Sequence, residues 1–123
     1  MRRDMDLVRQ ILLQVESADG PVTAGRLSCP GHTEQEVMWH IDLMAGHGLL
    51  DASVTRAWGG ERVAATVDGL TWEGLDMLDA MRSARVWERA KAAIERSVGA
   101  TTMDVAKAVC CKVATGMALA AIG

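Results

Sequence analysis

The sequence has no phenylalanine and no tyrosine, and its only aromatic residues are Trp39, Trp58, Trp72 and Trp87. Proteins that hold single-stranded nucleic acid stack bases on clustered aromatic side chains, so four scattered tryptophans argue against such a surface. A core without Phe must be filled by Val, Leu, Ala and the eight Met, whose unbranched side chains adapt to irregular gaps. An excess of positive charge is also missing. Thirteen Lys and Arg stand against 16 Asp and Glu, for a formal charge of −3, which excludes a uniformly basic nucleic-acid coat. Cysteine is scarce and odd in number: Cys29, Cys110 and Cys111 do not suggest a disulfide framework, so a reducing cytoplasm is the expected compartment. Long apolar runs are lacking too. The stretch 113–122 is short and follows Lys107 and Lys112, so no membrane span is expected. Arg2 and Arg3 are followed by Asp4 and Asp6 instead of an apolar segment, which does not fit a signal peptide.

What is present describes a globular protein. The 123 residues are 50% hydrophobic and 24% charged, outside the range of disordered chains. A chain of this length buries roughly two-thirds of the surface it would expose unfolded, enough to fold without disulfides or a structural metal. There is no internal repeat and no low-complexity linker.

Apolar spacing locates the elements. Leu7, Val8, Ile11, Leu12 and Val15 recur at helical spacing over 4–18, and Asp19-Gly20-Pro21 stops that helix. Residues 22–32 form a connector with room for a short strand. Thr33 and Glu36 make a capping box that opens a helix ended by Gly46 and Gly48. Val37, Ile41 and Met44 form one apolar face of it; Trp39 and Leu43 form a second on nearly the opposite side. A hairpin follows at about 49–67. Leu50, Ala52 and Val54 alternate on one arm, Val63, Ala65 and Val67 on the other, with Gly59-Gly60 at the turn. Thr71 caps a helix over 72–82. Another over 84–98 buries Trp87, Ala90, Ile94 and Val98, with Arg85, Arg89 and Arg96 on the opposite arc. The last helix, capped by Thr101 and Asp104, carries Val105, Val109, Val113 and Met117 on one face. The order helix, connector, helix, hairpin, helix outlines a winged helix. The expected fold is α+β, mostly α: a winged-helix-like core over 1–83 and a C-terminal helical extension over 84–123 packed on the same domain.

Three stretches resemble the bacterial and phage family known as domain of unknown function 2513. They are Met1-Arg2-Arg3-Asp4-Met5-Asp6-Leu7-Val8-Arg9; His40 followed by Leu43 and Gly48-Leu49; and the run from Leu70-Thr71-Trp72-Glu73-Gly74 through Arg82, followed by Val86-Trp87. The resemblance covers nearly the whole chain and implies a winged-helix variant, with no established activity or cofactor. Leu75 and Met77 stand where family members usually have His and Phe, and His47 where a small residue is common.

The residue types that carry chemistry fall into ordinary structural patterns. Cys29 and His32 have ligand-like spacing, but structural zinc sites come as two close pairs, and His40 and His47 are seven residues apart. No nucleophile motif and no phosphate-binding glycine pattern is present. Glu73, Asp76 and Asp79 read as a solvated face near a helix N-terminus. The expectation is therefore a non-enzyme with no catalytic residue, cofactor or metal. Two functions stay open. One is a protein-interaction module, such as a phage or prophage product acting on a host protein, with Trp39, Leu43, Trp58, Glu34 and Glu36 as contacts. The other is a DNA-binding regulator that touches phosphates through Arg56, Arg62, Arg85, Arg89 and Arg96. Against the second, Glu88 can pair with Arg85, and the recognition-type helix begins Thr33-Glu34-Gln35-Glu36 and carries Asp42. The Ala-rich last helix can complete the core or pair with its copy in a homodimer.

Overall fold

The computed structural model describes residues 1–97 and 103–122, with side chains described for 1–95 and 103–118. The elements are α1 (Met5–Ser17), β1 (Val22–Thr23), a 3₁₀ turn (Ala24–Arg26), α2 (Glu34–Gly46), β2 (Leu50–Arg56), β3 (Arg62–Leu70), α3 (Trp72–Met81), α4 (Ala84–Ser97) and α5 (Met103–Ile122). The strands form one antiparallel sheet in the order β1-β3-β2. The fold is α+β, mostly α, and winged-helix-like. The helix that normally precedes a recognition helix is reduced to the single 3₁₀ turn. The chain divides into two compact units, Met1–Asp76 and Met77–Gly123, with the boundary inside α3.

Local signals fix the first unit. Asp4 caps α1, its carboxylate accepting from the backbone N–H of Asp6 and Leu7. Leu7, Val8, Ile11, Leu12 and Val15 are all buried, as their spacing predicts. Each such aliphatic side chain contributes roughly 1.5–3 kcal/mol on leaving water. Thr33 caps α2, accepting from the Glu36 backbone N–H. At its other end the Leu49 N–H donates to the Met44 carbonyl and the Gly48 N–H to the Ala45 carbonyl. That pair of bonds is a Schellman stop, and it needs the left-handed conformation that Gly48 adopts at φ 85°.

The hairpin departs from simple alternation. Arg56 pairs with Arg62 while Thr55 pairs with Ala64, so Val63 has no partner across the ladder. One extra residue reverses the side-chain parity beyond it. Ala65 and Val67 are buried as expected, but Val63 is turned out and 53% exposed, and Arg62 takes the inward position instead.

In the second unit, Trp87, Ala90 and Ile94 are buried on α4; Val98 lies outside the described residues. The buried stripe of α5 differs from the expected one. It runs through Met103, Ala106 and Cys110, with Val109, Val113 and Met117 half-buried, and Val105 is exposed. A helix this rich in Ala presents apolar groups on every side, so spacing alone does not choose a face. Asp104 lies in its first turn, and Thr101 is outside the described residues. Among the described residues, no helix is long and apolar enough to cross a membrane.

Candidate functional site

The surface built by α2 and the hairpin carries most of the candidate residues. Val37, Met38, His40, Ile41 and Met44 turn inward on α2. Gln35, Trp39, Asp42 and Leu43 therefore occupy the opposite side of the helix. Leu43 is exposed and Trp39 half-buried, its ring edge-on to His40 at 5.1 Å between centroids. At the hairpin tip Trp58 is fully exposed. Gly60, at φ 89°, makes the turn beside it possible.

Asp42 joins this helix to both strands. Its Oδ2 accepts from Arg56 Nη2 at 2.7 Å, from Arg62 Nη2 at 2.7 Å and from Arg62 Nε at 2.8 Å. Arg56 Nη1 also donates to the Gly60 carbonyl, and Gln35 Nε2 donates to the Arg62 carbonyl. Arg56 and Arg62, the wing candidates for phosphate contact, are thus drawn onto a carboxylate of the recognition-type helix.

Glu34 is exposed in the first turn of α2. Glu36 is engaged: its Oε2 lies 3.0 Å from His32 Nδ1, and its Oε1 accepts from the Thr33 hydroxyl. The His32 bond holds the Glu36 carboxyl below the usual carboxylate range. His32 Nε2 reaches Asp4 Oδ2 at 3.4 Å on its other side. Burial pushes the Cys29 thiol up, opposed by a hydrogen bond with Gln14. The His32 N–H donates to the Cys29 carbonyl, so the ligand-like spacing marks a turn. Among the described residues no group of three or more His, Cys, Asp or Glu is placed to hold a metal, and every buried side-chain nitrogen and oxygen has a partner.

The family-resembling stretches meet at two joints. At the first, His40, buried on α2, accepts from the Asp4 backbone N–H through Nε2 at 2.9 Å. Its Nδ1 donates to the Glu36 carbonyl at 2.8 Å, so the neutral ring carries its proton on Nδ1. At the second, the Thr71 hydroxyl donates to the Gly48 carbonyl and accepts from the Gly74 N–H, while the Thr71 N–H donates to the Leu49 carbonyl. A Cβ on Gly74 would collide with that Leu49 carbonyl oxygen. Spacing could not have found these joints, because their partners are 36 and 23 residues apart.

The second unit handles charge differently. Arg82 pairs with Asp79 at 2.9 Å, and Lys91 pairs with Glu88 at 3.1 Å while standing over the Trp87 ring. Glu88 therefore serves Lys91, not Arg85. Arg85 and Arg89 are exposed and hold no ion pair or hydrogen bond among the described residues. The side chain of Arg96 lies outside those residues. The two units also differ in net charge. Met1–Asp76 carries six basic and twelve acidic residues, net −6; Met77–Gly123 carries seven basic and four acidic, net +3.

Comparison with known proteins identifies a family. Residues 2–101 match the family described as Hypothetical protein (DUF2513), and the chain belongs to that family. An uncharacterized protein of Haemophilus influenzae is 31% identical over 112 residues, which span 89% of this chain and 92% of that protein. No solved structure matches.

Proposed function

We propose that this DUF2513 member is a non-catalytic binding module whose main partner is a protein, engaged by the outward face of α2 and the hairpin tip. The observation that carries the reading is the Asp42 carboxylate taking up both wing arginines. A winged helix that reads DNA lays basic wing residues on the phosphate backbone and puts its recognition helix in the major groove. Here those guanidiniums are occupied, the helix begins with Glu34 and Glu36, and the unit that contains them is net −6. Leu43, Val63 and Trp58 are left exposed, with Trp39 half-buried beside Leu43. Tryptophan is among the residues most often found to dominate protein interfaces. Three free thiols suit a reducing cytoplasm, which we propose as the compartment.

The test is site-specific photo-crosslinking in the producing cell. A crosslinking residue at Trp58 should capture a discrete protein, and Leu43→Glu should remove that product. The same residue at Asp51, exposed on β2, serves as the control position. Equal products from positions 58 and 51, or products indifferent to Leu43→Glu, would refute the assignment.

A further inference from the structure

We infer that the groove between α4 and α5 is a second interaction site, one that takes an acidic amphipathic helix of a partner protein. The groove lies wholly within the second unit and encloses about 630 Å³, open to solvent. Arg85 and Arg89 stand along it on the α4 side, one helical turn apart. Val113 and Met117 line the α5 side. Ala92, Ala93 and Gly116 complete the lining, and a Cβ built on Gly116 meets nothing within 4 Å.

Three features select the occupant. The first is charge. The described cations next to these in sequence are engaged, Arg82 by Asp79 and Lys91 by Glu88, whereas the two guanidiniums at the groove have no partner among the described residues. Guanidinium matches carboxylate with two parallel hydrogen bonds, so acidic side chains are the natural complement. The unit's net charge of +3 acts in the same direction at longer range. The second is polarity. Val, Met and Ala offer an apolar strip beside the cations, which fits a segment with apolar residues on one side and acids on its flank. A phosphate backbone would use the arginines and leave the strip bare. The third is width. Alanine and glycine let a helix backbone approach closely, and the groove is open rather than closed over a small ligand.

The inference is independent of the α2 surface and is tested on the full chain. A displayed library of helical peptides is selected against the wild-type protein. Counter-selection uses Arg85→Glu/Arg89→Glu and, separately, Gly116→Leu, whose added Cβ meets nothing within 4 Å and whose branch adds bulk to the groove lining. The expected outcome is enrichment of peptides with apolar residues at i, i+3 and i+4 flanked by Asp or Glu. Their fluorescence anisotropy should show affinity falling about tenfold or more in either variant. Circular dichroism of both variants verifies that the fold is retained. Enrichment of basic or uncharged peptides, or no enrichment over the variants, overturns the inference. So does duplex DNA binding that is lost with the arginines and unchanged by Gly116→Leu, which would make this a phosphate site. Self-association abolished by both variants would assign the groove to a second copy of the chain and equally refute a partner helix.

Discussion

Asp42 reaches from α2 to both arms of the hairpin, whereas Asp79 and Glu88 reach only three residues along the chain. The first unit is tied by polar contacts between elements: Asp42 to Arg56 and Arg62, His40 to the start of α1, Thr71 to the end of α2. The second unit pairs its described ions locally and leaves two arginines open beside an apolar groove. Cross-element ties specify a shape, because they form only when the elements meet correctly. Local pairs add a few tenths of a kcal/mol each and leave the surface free for a partner. The residues that carry the family resemblance supply two of the ties in the first unit. Their common property in this structure is architecture.

If that contrast is right, the costliest substitutions fall at the joints. Gly74→Val drives a side chain into the Leu49 carbonyl and should cost about 3 kcal/mol or more, read as a lower urea midpoint with the slope unchanged. A near-neutral result would show that the start of α3 shifts freely and is no joint. His40→Ala should cost about 2 kcal/mol, because it strips the Asp4 N–H of its acceptor and empties a buried site. Asp42→Ala should cost about 1 kcal/mol, since its two ion pairs are partly exposed and screened; Asp79→Ala, which removes a local pair, should cost about 0.5 kcal/mol or less. Equal losses from these two variants would erase the distinction between cross-element and local pairing.

The smallest effect concerns pH. The Glu36 carboxyl is held low mainly by His32, so its contribution is present above the ordinary carboxylate pKa of about 4.3 and is lost as pH falls through the lower folded value. Urea midpoints of the wild type and Glu36→Gln should therefore differ near neutrality and converge in acid. A gap that widens in acid would contradict the assignment.

The helices and the wing turn were readable because their signals are local. Thr33 and Thr71 cap the elements they precede, Gly59-Gly60 marks the hairpin, and the inward face of α1 follows from spacing. The same periodicity set Trp39 and Leu43 opposite the buried face, but whether that side is covered was not readable; Leu43 is exposed and Trp39 half-buried. Other features depend on distant partners and were not readable. Nothing in the identity of Val63 reveals that it is the unpaired residue, yet that extra position carries Arg62 inward to Asp42. On α5 the Ala-rich composition hid the Met103, Ala106 and Cys110 stripe. On α4 the arginine arc was visible, but that Glu88 would choose Lys91 and leave Arg85 open depends on rotamers that sequence does not encode simply.

The most direct test of the central claim is fluorescence anisotropy with duplex DNA at low salt, comparing the wild type with Asp42→Ala. The wild type should show no saturable binding, with weak, salt-sensitive binding appearing once Asp42 releases Arg56 and Arg62. Tight wild-type binding that falls steeply with salt and is lost in Arg56→Ala/Arg62→Ala would contradict it, and would make the wing a DNA-contacting element after all.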